Sequence, residues 1–123
     1  MNKSILVLDD EQECVVAIKE LLGELGYQVF VTLSPKHALE ILQREKPGLV
    51  LFDYKMPEMD GDRFLEKAKL IQPSGRYVLM TAYRDDATLE RFKRMGVHEV
   101  LIKPIDLDRL IRLARALDRA ASN

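Results

Sequence analysis

Leu49-Val50-Leu51-Phe52-Asp53-Tyr54-Lys55-Met56-Pro57-Glu58-Met59-Asp60-Gly61 is the stretch on which the fold turns. Four apolar residues with no polar break read as a short strand covered on both faces, as strands inside parallel sheets are. The run stops at Asp53, crosses a loop containing Pro57, and gives way to helical periodicity at Phe64, Leu65, Ala68 and Ile71, which ends before Pro73. Parallel strands need crossover connections, so the same unit should recur on either side.

It does. Upstream, Ile5-Leu6-Val7-Leu8 reads as a buried strand, followed by a helix with apolar positions at Cys14, Ile18, Leu21, Leu22 and Leu25 and a stop at Gly26. Gln28-Val29-Phe30-Val31 is a second strand. Ser34-Pro35 opens the next helix as cap and first-turn proline, with Ala38, Leu39 and Leu42 buried and Pro47 as terminator. Downstream, Tyr77-Val78-Leu79-Met80 is a fourth strand, and a helix from about Asp85 to Met95 turns Leu89 and Phe92 inward before Gly96. Val100-Leu101-Ile102 is the fifth strand. Asp106 caps the last helix, Ile105 and Leu110 staple it, and Leu107, Leu110, Ile111, Ala114 and Leu117 form its buried stripe. Strict alternation with right-handed crossovers implies an α/β fold, a doubly wound five-stranded parallel sheet of order 2-1-3-4-5, as one domain over residues 1–123.

Composition agrees with a compact domain: 47% of the 123 residues are hydrophobic and 32% charged. Nineteen basic against twenty acidic residues give a net charge of -1, which predicts no broad field for nucleic acid or anionic membrane. Single Cys14, among apolar helix positions, cannot form an internal disulfide and reads as inert core. The apolar run after Lys3 ends at two aspartates, so it does not read as a signal peptide, and no run is long enough to span a bilayer. A cytoplasmic location is expected.

In doubly wound sheets the crevice lies at the carboxyl ends of the strands, where the winding reverses. Here the first strand ends in Asp9-Asp10-Glu11, the third in Asp53, the fourth in Thr81 and the fifth in Lys103. One aspartate after a strand is ordinarily a cap or turn residue. Four carboxylates, a hydroxyl and an ammonium on one rim are a different matter. Close carboxylates repel unless a cation intervenes, and oxygen donors without histidine or thiolate suit magnesium. Lys103 and Thr81 would stabilise phosphoryl oxygens, with Asp53 as the nucleophile. A flavodoxin-like cofactor domain would need a Gly-, Ser- or Thr-rich loop after the first strand, and Asp9-Asp10-Glu11 would repel its phosphate.

These segments, with Met80-Thr81-Ala82 and Ile102-Lys103-Pro104, resemble the receiver domain of bacterial two-component response regulators over residues 4 to 118. The resemblance implies that Asp53 accepts phosphate from a sensor histidine kinase or phosphotransfer protein, and that the chain is a signalling domain rather than an enzyme. It implies Mg2+ ligated by Asp10, Asp53 and the backbone carbonyl of Lys55, with Asp9 acting through a bound water. Thr81 and Lys103 would hold the phosphoryl group, and a cis bond would join Lys103 to Pro104. Output would pass to a downstream protein or output domain through the face made by the fourth helix, fifth strand and fifth helix. A pseudo-receiver that only binds partners is the alternative, but such domains usually lose acidic residues that this chain keeps.

Two positions depart from the common pattern. Val100 stands where the family often has an aromatic switch residue. Lys55 and Tyr83 occupy the variable positions expected to modulate dephosphorylation, with the Lys55 side chain expected to reach a phosphoryl oxygen or Glu11. His37, His98 and the basic group Arg84, Arg91, Lys93 and Arg94 read as solvated surface, with a docking face as the alternative for the basic group. A free-standing regulator and one domain of a longer chain are both compatible with this span.

Overall fold

The structure, a computed structural model, describes residues 3–121 of the chain, with side chains placed through residue 116. Five strands alternate with five helices: β1 (Ser4–Leu8), α1 (Gln12–Glu24), β2 (Gln28–Thr32), α2 (Pro35–Glu45), β3 (Leu49–Phe52), α3 (Gly61–Ile71), β4 (Arg76–Thr81), α4 (Asp86–Arg94), β5 (Glu99–Ile102) and α5 (Leu107–Ala121). All pairings are parallel and the order is β2-β1-β3-β4-β5, as expected. Winding reverses between β1 and β3, which places the crevice beside Asp9 and Asp53.

Period-two alternation divides the strands between two apolar layers. Leu6, Leu8, Val50, Phe52 and Leu79 face α2, α3 and Phe92 of α4. Ile5, Val7, Leu51, Val78 and Met80 face α1 and α5. Every residue of β3 is buried, which is why its sequence carries no polar break. Tyr77 is the polar exception in the first layer. Its hydroxyl lies 3.1 Å from the Ala68 carbonyl and 2.7 Å from that of Gln72, and burial pushes the phenol up to about 12.

Ser34 caps α2 through the His37 amide (3.2 Å), Asp85 caps α4 through Thr88 (3.0 Å), and Asp106 accepts from Asp108 and Arg109 at the start of α5. The helix faces differ in part from the periodicity reading. In α2 Ile41 joins the buried line and Leu39 is half-buried, and in α3 Ile71 is half-buried. In α1 the buried line is Val15, Ile18 and Leu22, with Cys14 and Leu25 packed at its edge and Leu21 half-buried, because the sheet meets the helix one position round from the apolar centroid. In α4 only Phe92 is buried; Leu89 is half-buried. In α5 Leu107 is 45% exposed, since the first residue of the helix projects past the sheet end, and Leu110, Leu113 and Ala114 make the contact while Ile111 is half-buried. Leu117 lies outside the described side chains.

Candidate functional site

The ladder continues one residue past the strands at the crevice. Asp53 N–H donates to Leu8 O (3.1 Å), Asp9 N–H to Thr32 O (3.3 Å) and Lys103 N–H to Thr81 O (2.8 Å). Backbone bonds thus hold Asp9, Asp53 and Lys103 at the rim while their side chains leave the sheet. The Lys103–Pro104 bond is cis, as expected.

Lys103 Nζ lies 2.6 Å from Asp9 Oδ2, 2.7 Å from Glu11 Oε1 and 3.0 Å from Asp53 Oδ2. The other oxygens are held by backbone: Asp9 Oδ1 accepts from Glu11 N–H (3.0 Å) and Asp53 Oδ1 from Tyr54 N–H (2.7 Å). Asp9 Oδ2 is buried and has a counter-ion in Lys103 but no donor aligned for a hydrogen bond. Burial and then the charge of Asp9 raise the Asp10 carboxyl. Burial also raises Asp53, opposed by the hydrogen bond from Lys103 and reinforced by Asp9. Burial alone would lower the Lys103 ammonium, yet its close contacts with the carboxylates of Asp9, Glu11 and Asp53 prevail and raise it, so it stays charged.

Oxygens of Asp9, Asp10 and Asp53 all lie within 4.8 Å of one another, with Asp10 exposed at the mouth. Three hard donors, one holding an oxygen with no aligned donor, fit a small divalent cation. The loop beyond Asp53 is anchored by buried Met56 and closed by Gly61 N–H donating to Tyr54 O. A Cβ on Gly61 would fall onto the Asp53 carbonyl oxygen, which explains the glycine where α3 begins.

Thr81 is fully buried, and its hydroxyl accepts from Tyr83 N–H (3.0 Å). Lys55 does not reach Glu11. Its ammonium pairs with Asp60 (3.0 Å) and sits 4.4 Å over the Tyr54 ring, because Asp60 lies in the same loop while Glu11 is already bound by Lys103. Tyr83 is 45% exposed, its ring edge-on to Tyr54 at 5.5 Å. Val100 is half-buried against the core layer that contains Phe52 and Phe92.

Sequence reasoning missed Tyr54. Its hydroxyl accepts from Arg91 (2.9 Å), whose guanidinium also bonds Asp62 (2.7 Å), so Arg91 is not the freely solvated residue expected. The available signal was an aromatic adjoining Asp53; its partner, 37 residues away, had none. Both histidines are exposed, as expected, although the His37 ring meets the Thr32 hydroxyl at 3.0 Å.

Fold and site together define a flavodoxin-like α/β domain with an acidic, lysine-capped crevice at its switch point. A family model described as the response regulator receiver domain matches residues 5–115, and the chain belongs to that family. It is 36% identical over 110 residues to sporulation initiation phosphotransferase F of Bacillus subtilis, covering 89% of each chain. It is 37% identical to the transcriptional regulatory protein CrdR of Helicobacter pylori, of whose length it spans only 52%. A receiver domain protein from Methanospirillum hungatei superposes with TM-score 0.89 at 28% identity, covering 99% of this chain and 98% of that one. A response regulator from Clostridium difficile, at 21% identity, shares the fold with TM-score 0.94 and covers 98% and 99%.

Proposed function

We propose that this receiver domain takes a phosphoryl group on Asp53 from a phosphohistidine of a sensor histidine kinase or phosphotransfer protein. The supporting observation is the setting of Asp53: 8% exposed, with one oxygen on Tyr54 N–H and the other 3.0 Å from the Lys103 ammonium, beside the Asp9–Asp10 pair. In the transfer a carboxylate oxygen of Asp53 forms a bond to phosphorus. The phosphorus–nitrogen bond of the donor breaks, and its electron pair returns to the imidazole.

Asp10, Asp53 and the Lys55 carbonyl would hold Mg2+, with Asp9 acting through water, and the ion supplies positive charge to the phosphoryl oxygens. Lys103 contributes its own charge at the same place, and the Thr81 hydroxyl contributes a donor once it turns to the phosphoryl group. Lys55 and Tyr83 border the route of an attacking water and set how long the acyl phosphate lasts. The chain acts as a phosphoacceptor rather than as an enzyme on a separate substrate. It works in the cytoplasm and signals to a downstream protein or output domain through α4, β5 and α5.

Incubation with acetyl phosphate and Mg2+ should add the mass of one phosphoryl group, and Asp53→Asn should abolish the addition. An unchanged mass in the parent, or an equal gain in the variant, would overturn the reading.

A further inference from the structure

Val100 leaves open how the state of Asp53 reaches α4. A β-branched side chain has few rotamers to exchange, and this one is half-buried against the core. Another aromatic side chain stands closer to the chemistry. Tyr54 adjoins Asp53 in sequence and donates its own amide to Asp53 Oδ1 at 2.7 Å.

Its side chain gathers contacts from two other segments. Tyr83, in the loop after β4, meets it edge-on at 5.5 Å, and Phe92 of α4 does so at 5.2 Å. Arg91, also of α4, donates to its hydroxyl at 2.9 Å and holds Asp62 of α3 at 2.7 Å. Phe92 in turn contacts Phe52, the last residue of β3, at 6.1 Å. The first turn of α4 has its own cap in Asp85, so this cluster engages the opposite, C-terminal half of a short helix.

Resting on the phosphoacceptor reading, we propose that Tyr54 is the positioning residue that transmits phosphorylation of Asp53 to α4, in the place of a ring at position 100. Two inputs converge on it. Phosphorylation turns the Asp53 carboxylate into an acyl phosphate, which removes the anionic charge that Oδ1 shares and weakens it as acceptor for Tyr54 N–H. Thr81, drawn to the phosphoryl oxygens, carries with it the Tyr83 amide now bonded to its hydroxyl, and so moves the Tyr83 ring against Tyr54. The output is a change in the contacts of Arg91 and Phe92. Because those contacts differ between the two states of Asp53, phosphorylation acquires the differential interaction that any population shift requires.

The test is hydrogen exchange of residues 86–94 and 82–85 in the parent, Tyr54→Leu, Tyr54→Phe and Val100→Ala. Each is measured free and saturated with Mg2+ and beryllofluoride, with saturation verified by native mass spectrometry. In the parent, the mimic should change exchange in α4 on the order of threefold or more. Tyr54→Leu should lose more than about half of that difference, while Tyr54→Phe and Val100→Ala keep most of it. A merely structural role would instead raise exchange equally in free and saturated protein. A full α4 response in saturated Tyr54→Leu, or none in the saturated parent, would overturn the proposal and leave the phosphoacceptor reading standing. A parent that neither takes beryllofluoride nor gains phosphoryl mass would overturn the underlying reading and this proposal with it.

Discussion

Asp53 is ionised at a cost. Burial is the main cause, Asp9 adds to it, and the bond from Lys103 recovers only part. The native carboxyl therefore holds its proton more tightly than the unfolded chain, whose ordinary value is 3.8. Native protein binds more protons across the window from there up to the raised value, so stability falls as pH rises through it and the deficit persists at neutral pH. Asp53→Asn, which leaves Lys103 bonded to Asp9 and Glu11, should be more stable than the parent at pH 7. The advantage should shrink as the pH falls from the raised value to the ordinary carboxyl value, and be gone below it. Urea denaturation at a series of pH values measures this, and a constant difference would contradict it. Lys55 presents a different residue-scale question, because its ammonium is spent on Asp60 and the Tyr54 ring rather than on the acidic pocket. Lys55→Asn removes both contacts while the backbone carbonyl stays, so the decay of the acyl phosphate should change and magnesium affinity should not. Decay rates from intact-mass time courses, beside a magnesium titration, check both halves.

Between elements, two glycines of opposite character show where the backbone is constrained. At the start of α3, Gly61 faces the backbone of Asp53 and Tyr54, which cannot yield without moving the loop that carries Lys55. Gly61→Ala should cost about 2–4 kcal/mol by urea denaturation and weaken magnesium binding as well. Gly23, near the end of α1, has open space where a Cβ would go. Gly23→Ala should stabilise by about 0.5–1 kcal/mol, since alanine restricts the unfolded chain and suits a helix. Equal effects at the two positions would contradict the packing described. Helix α4 is fastened at its far end too: Lys69 of α3 donates to the Met95 carbonyl at 2.9 Å. The Lys69 ammonium occupies the space a Cβ would take at Gly96, whose φ of 95° already favours glycine.

At the scale of the whole molecule, the carboxyl ends of β1, β3, β4 and β5 collect their groups into a pocket whose net character depends on cations. Among the described residues Lys103 is the one cation paired with Asp9, Glu11 and Asp53, so a divalent ion has carboxylate charge left to neutralise. Asp10→Ala removes an exposed ligand without disturbing the buried ones and should abolish most magnesium affinity. Calorimetric titration of parent and variant decides, with unchanged affinity excluding Asp10 as a ligand. Among the described residues no helix is long and apolar enough to cross a membrane.

The order of elements, the parallel sheet and the rim residues were legible in the chain because each rests on local periodicity: unbroken apolar strands, capped helices, and a polar residue at each strand end. Asp9, Asp10, Asp53, Thr81 and Lys103 could be named because the topology of such a sheet delivers strand ends to one crevice whatever the intervening helices contain. Faces and pairings were another matter. Val15 displaced Leu21 from the buried line, and Leu107 proved exposed, because helix rotation is decided by the sheet it lands on rather than by its own apolar centroid. The bonds of Lys103 to Glu11 and of Arg91 to Tyr54 join residues 92 and 37 positions apart. No spacing in a sequence encodes such pairs, since they exist only once the crossovers have brought separate loops together; tertiary packing alone set them.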